Sequence, residues 1–524
     1  MTQAPWEKKL KADPPFSRER AQEGRRRLIG RLAAEAEAVP GRSGALRRRT
    51  SAAMLTVTAA AFGTFLVWQM STGGGALRTA APAPEAGQQA PAVSIPMKGT
   101  VRFSLGDEEE FRKRYGELIR EKFPELEIIF SKQKPVEEGG GGYLRTFERM
   151  VDEELPDVIV LDSFPLYKML AQHGKLADLT PLFGRDRLEA ETRVPAVMEA
   201  LKGAGGGKLY GLAPAFEAKA LYYNKKLFDE FGIPYPVNGM TWEEVLELAR
   251  KFSRGTGESK IYGYSEKDAL LYESVFVRQL AHSYGLHYTD SAHTRVTMDT
   301  PEWKKVWQLA LDAYRTGTVP MRVSGNPADG NEVQLAPDYF YEGKAALTLE
   351  SIELRERLKD AAFDYGIVMA PVDPSAPAIH TTLQPGPIFA VRAGTSKSEQ
   401  AWEIVKYVNS LEAAEGARTQ GLGRLTRTPK RVNIPVPFVS TLERMVNDQY
   451  GSELSPFYEQ TLYDNRFTVH SYNMDDVLPY LPFYAEFEGR FTDRLNEVLE
   501  GRLSVEEALR QLQAEGEAFL EPLR

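Results

Sequence analysis

The stretch Val101–Leu161, VRFSLGDEEEFRKRYGELIREKFPELEIIFSKQKPVEEGGGGYLRTFERMVDEELPDVIVL, decides the fold class. Val101-Arg-Phe-Ser-Leu105 reads as a short strand, Phe111–Phe123 as a helix and Glu127–Phe130 as a second strand. A glycine run, Gly139–Gly142, precedes another helix, Leu144–Glu154. Pro156-Asp-Val-Ile-Val-Leu161 then reads as a buried strand, because its apolar run leaves no polar face. Strands alternating with helices in this way predict an α/β sheet covered on both faces.

Toward the C-terminus the helix signals continue. Thr241 is placed to cap a helix and Glu244 to complete a capping box, with Trp242, Val245, Leu246, Ala249 and Phe252 on one stripe. Thr300-Pro301 opens a helix that buries Trp303, Val306, Trp307, Ala310 and Tyr314, and Ser504 with Glu507 caps the last one. Aromatics at helical spacing read as core rather than as ligand contacts.

Toward the N-terminus there is no charged residue from Thr50 to Leu77, and Ala52–Met70 is its apolar heart. About 20 such residues can cross a hydrocarbon layer of roughly 30 Å. Arg47, Arg48 and Arg49 precede the segment and Arg78 alone follows closely, so residues 1–49 are expected in the cytoplasm and the rest outside. Trp68 sits where an interfacial aromatic belongs. A cleaved signal peptide is the competing reading, since Ala81-Pro82-Ala83 resembles a cleavage site, but the basic region before the core is unusually long for one. A buried core helix is a further alternative. The Gly/Pro/Ala-rich flank Ser71–Pro96 reads as linker. Arg18–Ala38 could form a short amphipathic helix, or simply a solvated basic tail that sets topology.

The 524 residues allow more than one domain, and 42% hydrophobic with 26% charged residues is ordinary globular composition. The formal net charge of −8 is unevenly spread. Residues 1–50 hold 13 Lys/Arg against 6 Asp/Glu, a net of +7, which leaves −15 for the remainder. An acidic body argues against nucleic acid as a partner. With no cysteine, disulfides, thiolate catalysis, Cys-ligated zinc and lipidation of an N-terminal cysteine are all excluded.

Motifs for enzymatic chemistry are missing. Gly203–Lys208 has Lys202 where a phosphate loop needs its first glycine, Leu209 where it needs Ser or Thr, and a strand rather than a helix downstream. It reads as a surface turn. Histidines 173, 282, 287, 293, 380 and 470 form no metal-ligand pair at helical spacing. No G-x-S-x-G elbow occurs. Glu108-Glu-Glu110 reads as the acidic first turn of a helix, and no carboxylate pair is marked as a glycosidase couple. No catalytic residue, metal or cofactor is expected.

Gly207-Lys-Leu-Tyr-Gly-Leu-Ala-Pro-Ala-Phe-Glu-Ala-Lys-Ala-Leu-Tyr-Tyr-Asn-Lys-Lys-Leu-Phe228, with Phe231-Gly-Ile-Pro and Met240-Thr-Trp-Glu-Glu, closely resembles the family 1 extracellular solute-binding proteins, the maltose-binding-protein-like group. Tyr341-Glu-Gly-Lys-Ala-Ala-Leu, Tyr365-Gly-Ile-Val-Met-Ala-Pro, Gly394–Val408 and Gly501-Arg-Leu-Ser-Val-Glu-Glu-Ala-Leu extend the match over about four-fifths of the chain. The resemblance implies a two-lobed α/β fold of the type II periplasmic-binding-protein kind, and the apolar segment Ala52–Met70 places one transmembrane helix before it. It places a ligand cleft between lobes that close by hinge motion. The implied layout is a tail at 1–49, an anchor at 50–70, a linker at 71–97 and a binding domain at 98–524. Lobe 1 takes about 98–215 and 375–425, and lobe 2 about 216–372 and 426–524. Crossings fall near Ala213–Ala218, near Ala370–Pro377 and after the helix Ser398–Asn409.

The same resemblance implies ligand contacts at Phe103, Asp107, Glu108, Asp162, Ser163, Phe216, Glu217, Glu350, Ser351, Gln384 and Pro385, with Tyr484 beside them. A carboxylate suits a sugar hydroxyl because it accepts charge-assisted hydrogen bonds. One departure stands out. The group's tryptophan after the strand Ala345–Leu349 is absent, with Glu353 nearby, and so is its C-terminal tryptophan, although Tyr480, Phe483, Tyr484 and Phe487 are close. Sugar faces stack on aromatic rings, so the loss weakens a maltose-like ligand and leaves hydroxyl-rich or cationic solutes open. The implied function is capture of a carbohydrate-like solute outside the cytoplasm for an ABC permease, by a monomer held at the cell membrane. A ligand sensor signalling through the tail, and a carbohydrate-active enzyme, are the alternatives.

Overall fold

The computed structural model of the chain describes residues 96–132, 142–188, 193–267, 273–290, 293–321, 337–380, 382–414, 434–435, 451–459, 462–463 and 480–523. The expected tail, the anchor at 50–70, nearly all of the linker and His470 lie outside them. Among the described residues no helix is long and apolar enough to cross a membrane.

In chain order the strands are β1 (Gly99–Ser104), β2 (Leu126–Phe130), β3 (Val158–Leu161), β4 (Gly211–Leu212), β5 (Ala215–Glu217), β6 (Lys219–Asn224) and β7 (Tyr262–Tyr264). They continue with β8 (Ala345–Ser351), β9 (Tyr365–Val368), β10 (Ile379–His380), β11 (Gln384–Pro385), β12 (Ile388–Val391), β13 (Ile434–Pro435) and β14 (Leu462–Tyr463). One sheet runs β2-β1-β3-β12-β4 and another β7-β8-β6-β9. In the first, β1 is parallel to β2 and β3, while β12 is antiparallel to β3 and β4. Every residue of β3 and β12 is buried, as expected where helices cover both faces of a sheet. Short pairings join β10 to β14 and set β5 between β11 and β13.

Asp157 explains the Pro-Asp start of β3. Its buried carboxylate accepts the Arg102 N–H at 3.0 Å and the Thr395 hydroxyl at 2.6 Å. Its backbone bonds Arg102 and Arg392, so one residue ties the middle of β1 and the start of β3 to the end of β12. The acid-rich first turn continues into a short π-helical turn, Arg112–Gly116, before α-helix resumes at Glu117–Lys122. The wide turn exists within a run that reads as ordinary helix in the sequence, and π-turns concentrate at functional sites.

Two apolar clusters form. The first surrounds the five-stranded sheet, with Phe103, Tyr167, Phe389 and Trp402 among its large side chains. The second holds the aromatic stripes: Trp242, Phe252, Trp303, Trp307 and Tyr314 are all buried there, against Phe487 and Phe491 of the helix Leu481–Leu499. The capping box at Thr241 is complete, with Glu244 N–H donating to its Oγ1 and Glu244 Oε2 accepting its N–H. Ser504 Oγ accepts from the Glu507 N–H. At 203–208 the helix Pro195–Ala204 ends in a turn with Gly206 and Gly207 at φ of 62° and 93°, which then enters β4. That turn needs glycine, and no helix follows it to bind a phosphate.

Candidate functional site

Backbone connections carry the chain between the two large sheets. From β4 of the first sheet it passes through β5 and the single residue Ala218 into β6 of the second. It returns from β9 through β11 into β12. The two passages lie side by side, with Glu217 opposite Gln384 and Phe216 opposite Pro385. Thr382 fastens them: its hydroxyl accepts the Lys219 N–H and donates to the Lys219 carbonyl, both at 3.0 Å.

A cleft of about 790 Å³ opens at this junction. Its lining comes from the loop after β1 (Leu105, Gly106, Asp107), the π-turn (Arg114, Tyr115) and the tip of β3 (Asp162, Ser163, Phe164, Pro165). Glu217 of β5 and Gln384–Pro387 complete it. The volume falls within the range of ordinary small-molecule sites. The Tyr143 hydroxyl reaches both Asp162 carboxylate oxygens at 2.9 Å, and burial with the Asp162 charge pushes that phenol well above its usual range. A Cβ on Gly106 would lie 2.8 Å from Asp162 Oδ2, so glycine leaves room for the carboxylate. Ser163 caps the helix Phe164–Gln172 by accepting the Leu166 N–H.

Glu353 stands at the start of the helix that follows β8. Burial, and then the charge of Glu217, raise its carboxyl to about 7, while Arg114 pulls in the other direction. Glu353, Glu217 and Arg114 therefore share one electrostatic environment, although they belong to three separate elements.

Of the expected contacts, Asp107, Asp162, Ser163, Glu217, Gln384 and Pro385 come together around the cleft. Phe103 and Phe216 are corrections. Both are fully buried in the first cluster, and Phe103 packs against Phe111 at 5.1 Å. Strand alternation turns Phe216 into the core beside cleft-lining Glu217, and Phe103 lies within β1, two positions before the lining begins at Leu105. Glu108 is exposed and paired with Arg112 one turn on, outside the lining. Glu350 and Ser351 end β8, opposite Ala220 and Lys219 of β6, and do not line the cleft. Tyr484 is spent inside the second cluster, its hydroxyl 2.9 Å from Thr289 Oγ1 and 2.7 Å from His293 Nδ1.

Sequence reasoning missed Gly106, Arg114, Tyr115, Tyr143 and Pro165. The π-turn that brings Arg114 and Tyr115 round has no sequence mark, whereas the loop after β1 could have pointed to Gly106. No tryptophan is among the cleft-lining residues, and Phe111, Tyr115 and Phe164 supply the aromatic surface. No group of three or more metal-type ligands occurs among the described residues.

Paired sheets, adjoining passages and a polar cleft where they meet define a two-sheet α/β solute-binding fold. Residues 134–415, over half of the chain, match the family described as bacterial extracellular solute-binding protein, and the chain belongs to that family. A family 1 extracellular solute-binding protein from Alicyclobacillus acidocaldarius is similar at a TM-score of 0.59 and 17% identity, covering 82% of this chain and 100% of that one. The sugar-binding protein MalE from Xanthomonas citri is similar at 0.57 and 17% identity, covering 81% and 98%. At these identities the likeness shows the fold. A protein of Brucella abortus (strain 2308) named as a binding protein is 25% identical over 204 residues, 38% of this chain and 47% of its own length. The chain thus spans about half the length of the curated relatives it matches.

Proposed function

We propose that the protein captures a sugar-like, hydroxyl-rich solute outside the cytoplasm and presents it to an ABC permease, without turning it over. The observation that carries this reading is convergence: Asp107, Asp162, Ser163, Glu217 and Gln384 arrive on four parts of the chain and meet in one cleft. Carboxylates, a hydroxyl and an amide are the groups that pair with sugar hydroxyls, and Tyr115 offers a ring for a sugar face. The lobes take about 98–215 with 375–425, and 216–372 with 426–524. They close about β5 and β11, and closure adds Glu350 and Ser351 from the end of β8. Ala52–Met70 anchors the protein in the membrane with residues 1–49 inside. The Xanthomonas citri neighbour is named a sugar-binding protein, which supports the solute class.

A thermal-shift screen of the chain against mono- and oligosaccharides tests the reading. A solute at 100 times its Kd adds about 2.7 kcal/mol of stability. A screen in which no saccharide raises the midpoint removes the sugar reading. Sugar released from a glycan panel, with release abolished in Glu217→Gln, would make the protein an enzyme instead.

A further inference from the structure

Asp162 stands exposed in the cleft directly after β3, where an aspartate side chain ordinarily samples several rotamers. Two other parts of the chain restrain it. The Tyr143 hydroxyl lies 2.9 Å from each of its carboxylate oxygens, which puts the phenol in the fork between them. Tyr143 is the second residue of the helix Gly142–Glu154, and its ring leans on buried Phe147 with centroids 6.1 Å apart. The hydroxyl is therefore delivered by a packed side chain. Burial and the Asp162 charge push the phenol well above its usual range, so it stays a donor at ordinary pH. Gly106, in the loop after β1, makes the second restraint possible. A Cβ there would lie 2.8 Å from Asp162 Oδ2 and 3.3 Å from the Tyr143 hydroxyl oxygen. The Gly106 backbone lies outside the left-handed region, so glycine supplies space here and not conformation. Both atoms in the way are the ends of flexible side chains. An alanine at 106 would thus displace the carboxylate at little cost to the fold.

We infer that Tyr143 and Gly106 are positioning residues for solute capture: the phenol holds Asp162 in one orientation from within its fork, and the glycine leaves the carboxylate its room. The role rests on the sugar reading just given. A carboxylate oxygen has two lone pairs, so with the fork filled each oxygen of Asp162 still offers an outward one. Asp162 then takes single solute hydroxyls on its outer sides and does not grip an adjacent pair in its fork. Fixing the side chain before the solute arrives removes an ordering cost from binding, a contribution of about 3- to 10-fold in affinity.

Isothermal titration of the full chain with glucose, mannitol, cellobiose and maltotriose tests this, in the native protein, Tyr143→Phe, Gly106→Ala, Asp162→Ala and the double variant Tyr143→Phe/Asp162→Ala. Tyr143→Phe and Gly106→Ala should each weaken the probes that the native chain binds by about 3- to 10-fold. Their unliganded unfolding midpoints should stay near the native one, since Phe keeps the ring on Phe147 and the alanine meets only side-chain ends. With Asp162 already truncated, Tyr143→Phe should change the affinity no further. An equal loss in the truncated background would mean that Tyr143 touches the solute itself, and it overturns the positioning role. Tighter binding by Tyr143→Phe would give the fork to the solute and also overturns it. Unchanged affinity in both single variants, or a loss matched by a fallen midpoint, removes the inference while sugar capture stands. If the native chain binds none of the four probes and no saccharide of the thermal-shift screen, both readings fall.

Discussion

Glu217→Ala is expected to lower the affinity for solute by about 10- to 100-fold while leaving the fold intact. Glu217 ends β5, opposite Gln384, and lines the cleft. It is therefore bound to the two adjoining passages and open to the solute at once. Hydrogen bonds to a charged group contribute about 1.5–3 kcal/mol, which corresponds to that range of affinity. Stability should change little, because the half-buried carboxylate presses on Glu353 and its loss lifts that repulsion. Titration calorimetry with the saccharide that gives the largest thermal shift, paired with an unfolding curve, reads both quantities. Unchanged affinity would remove Glu217 from the site, and affinity lost together with the fold would make it a structural residue.

Trp402→Ala should cost about 3–5 kcal/mol of stability, the range for emptying a large buried aromatic site. Trp402 lies on the helix Ser398–Val408, is fully buried against the five-stranded sheet, and donates its indole N–H to Asp186 at 2.8 Å. Asp186 keeps Arg185 at 2.8 Å and Lys406 at 2.9 Å, and these partners hold its carboxyl well below the usual range despite desolvation. The lost N–H is thus a minor part of the penalty, and the unfilled volume is the major one. Denaturant unfolding should show a lower midpoint with a similar slope. A loss under about 1 kcal/mol would mean that the helix repacks over the gap.

Periodicity made most of the architecture legible. The apolar run at Val158–Leu161, the stripe from Trp242 to Phe252 and the cap at Thr241 are local signals, and each became the element it implied. The family resemblance pointed to Asp107 and Asp162 after β1 and β3 and to Glu217 at the end of β5, and the three line one cleft. The cleft was not legible where side-chain direction decides. Phe216 sits beside Glu217 in sequence, but a strand turns alternate residues away, and Phe103 lies inside β1 short of the cleft loop, so both are core. The π-turn that presents Arg114 and Tyr115 depends on one widened hydrogen-bonded ring, which leaves no mark in composition. The raised carboxyl of Glu353 depends on burial and on the charge of Glu217 from a distant part of the chain, beyond any local pattern.

The absence of cysteine makes the most direct test straightforward, since two introduced thiols can be labelled cleanly. Lys202→Cys on the helix Pro195–Ala204 and Glu302→Cys on the helix Pro301–Arg315 put exposed spin labels beside the first and second sheets. The distance between them is measured by double electron–electron resonance, without solute and with the saccharide that shifts the midpoint most. Hinge closure predicts a distribution that shortens and narrows when the solute is added. A distribution that stays the same at saturation would contradict it.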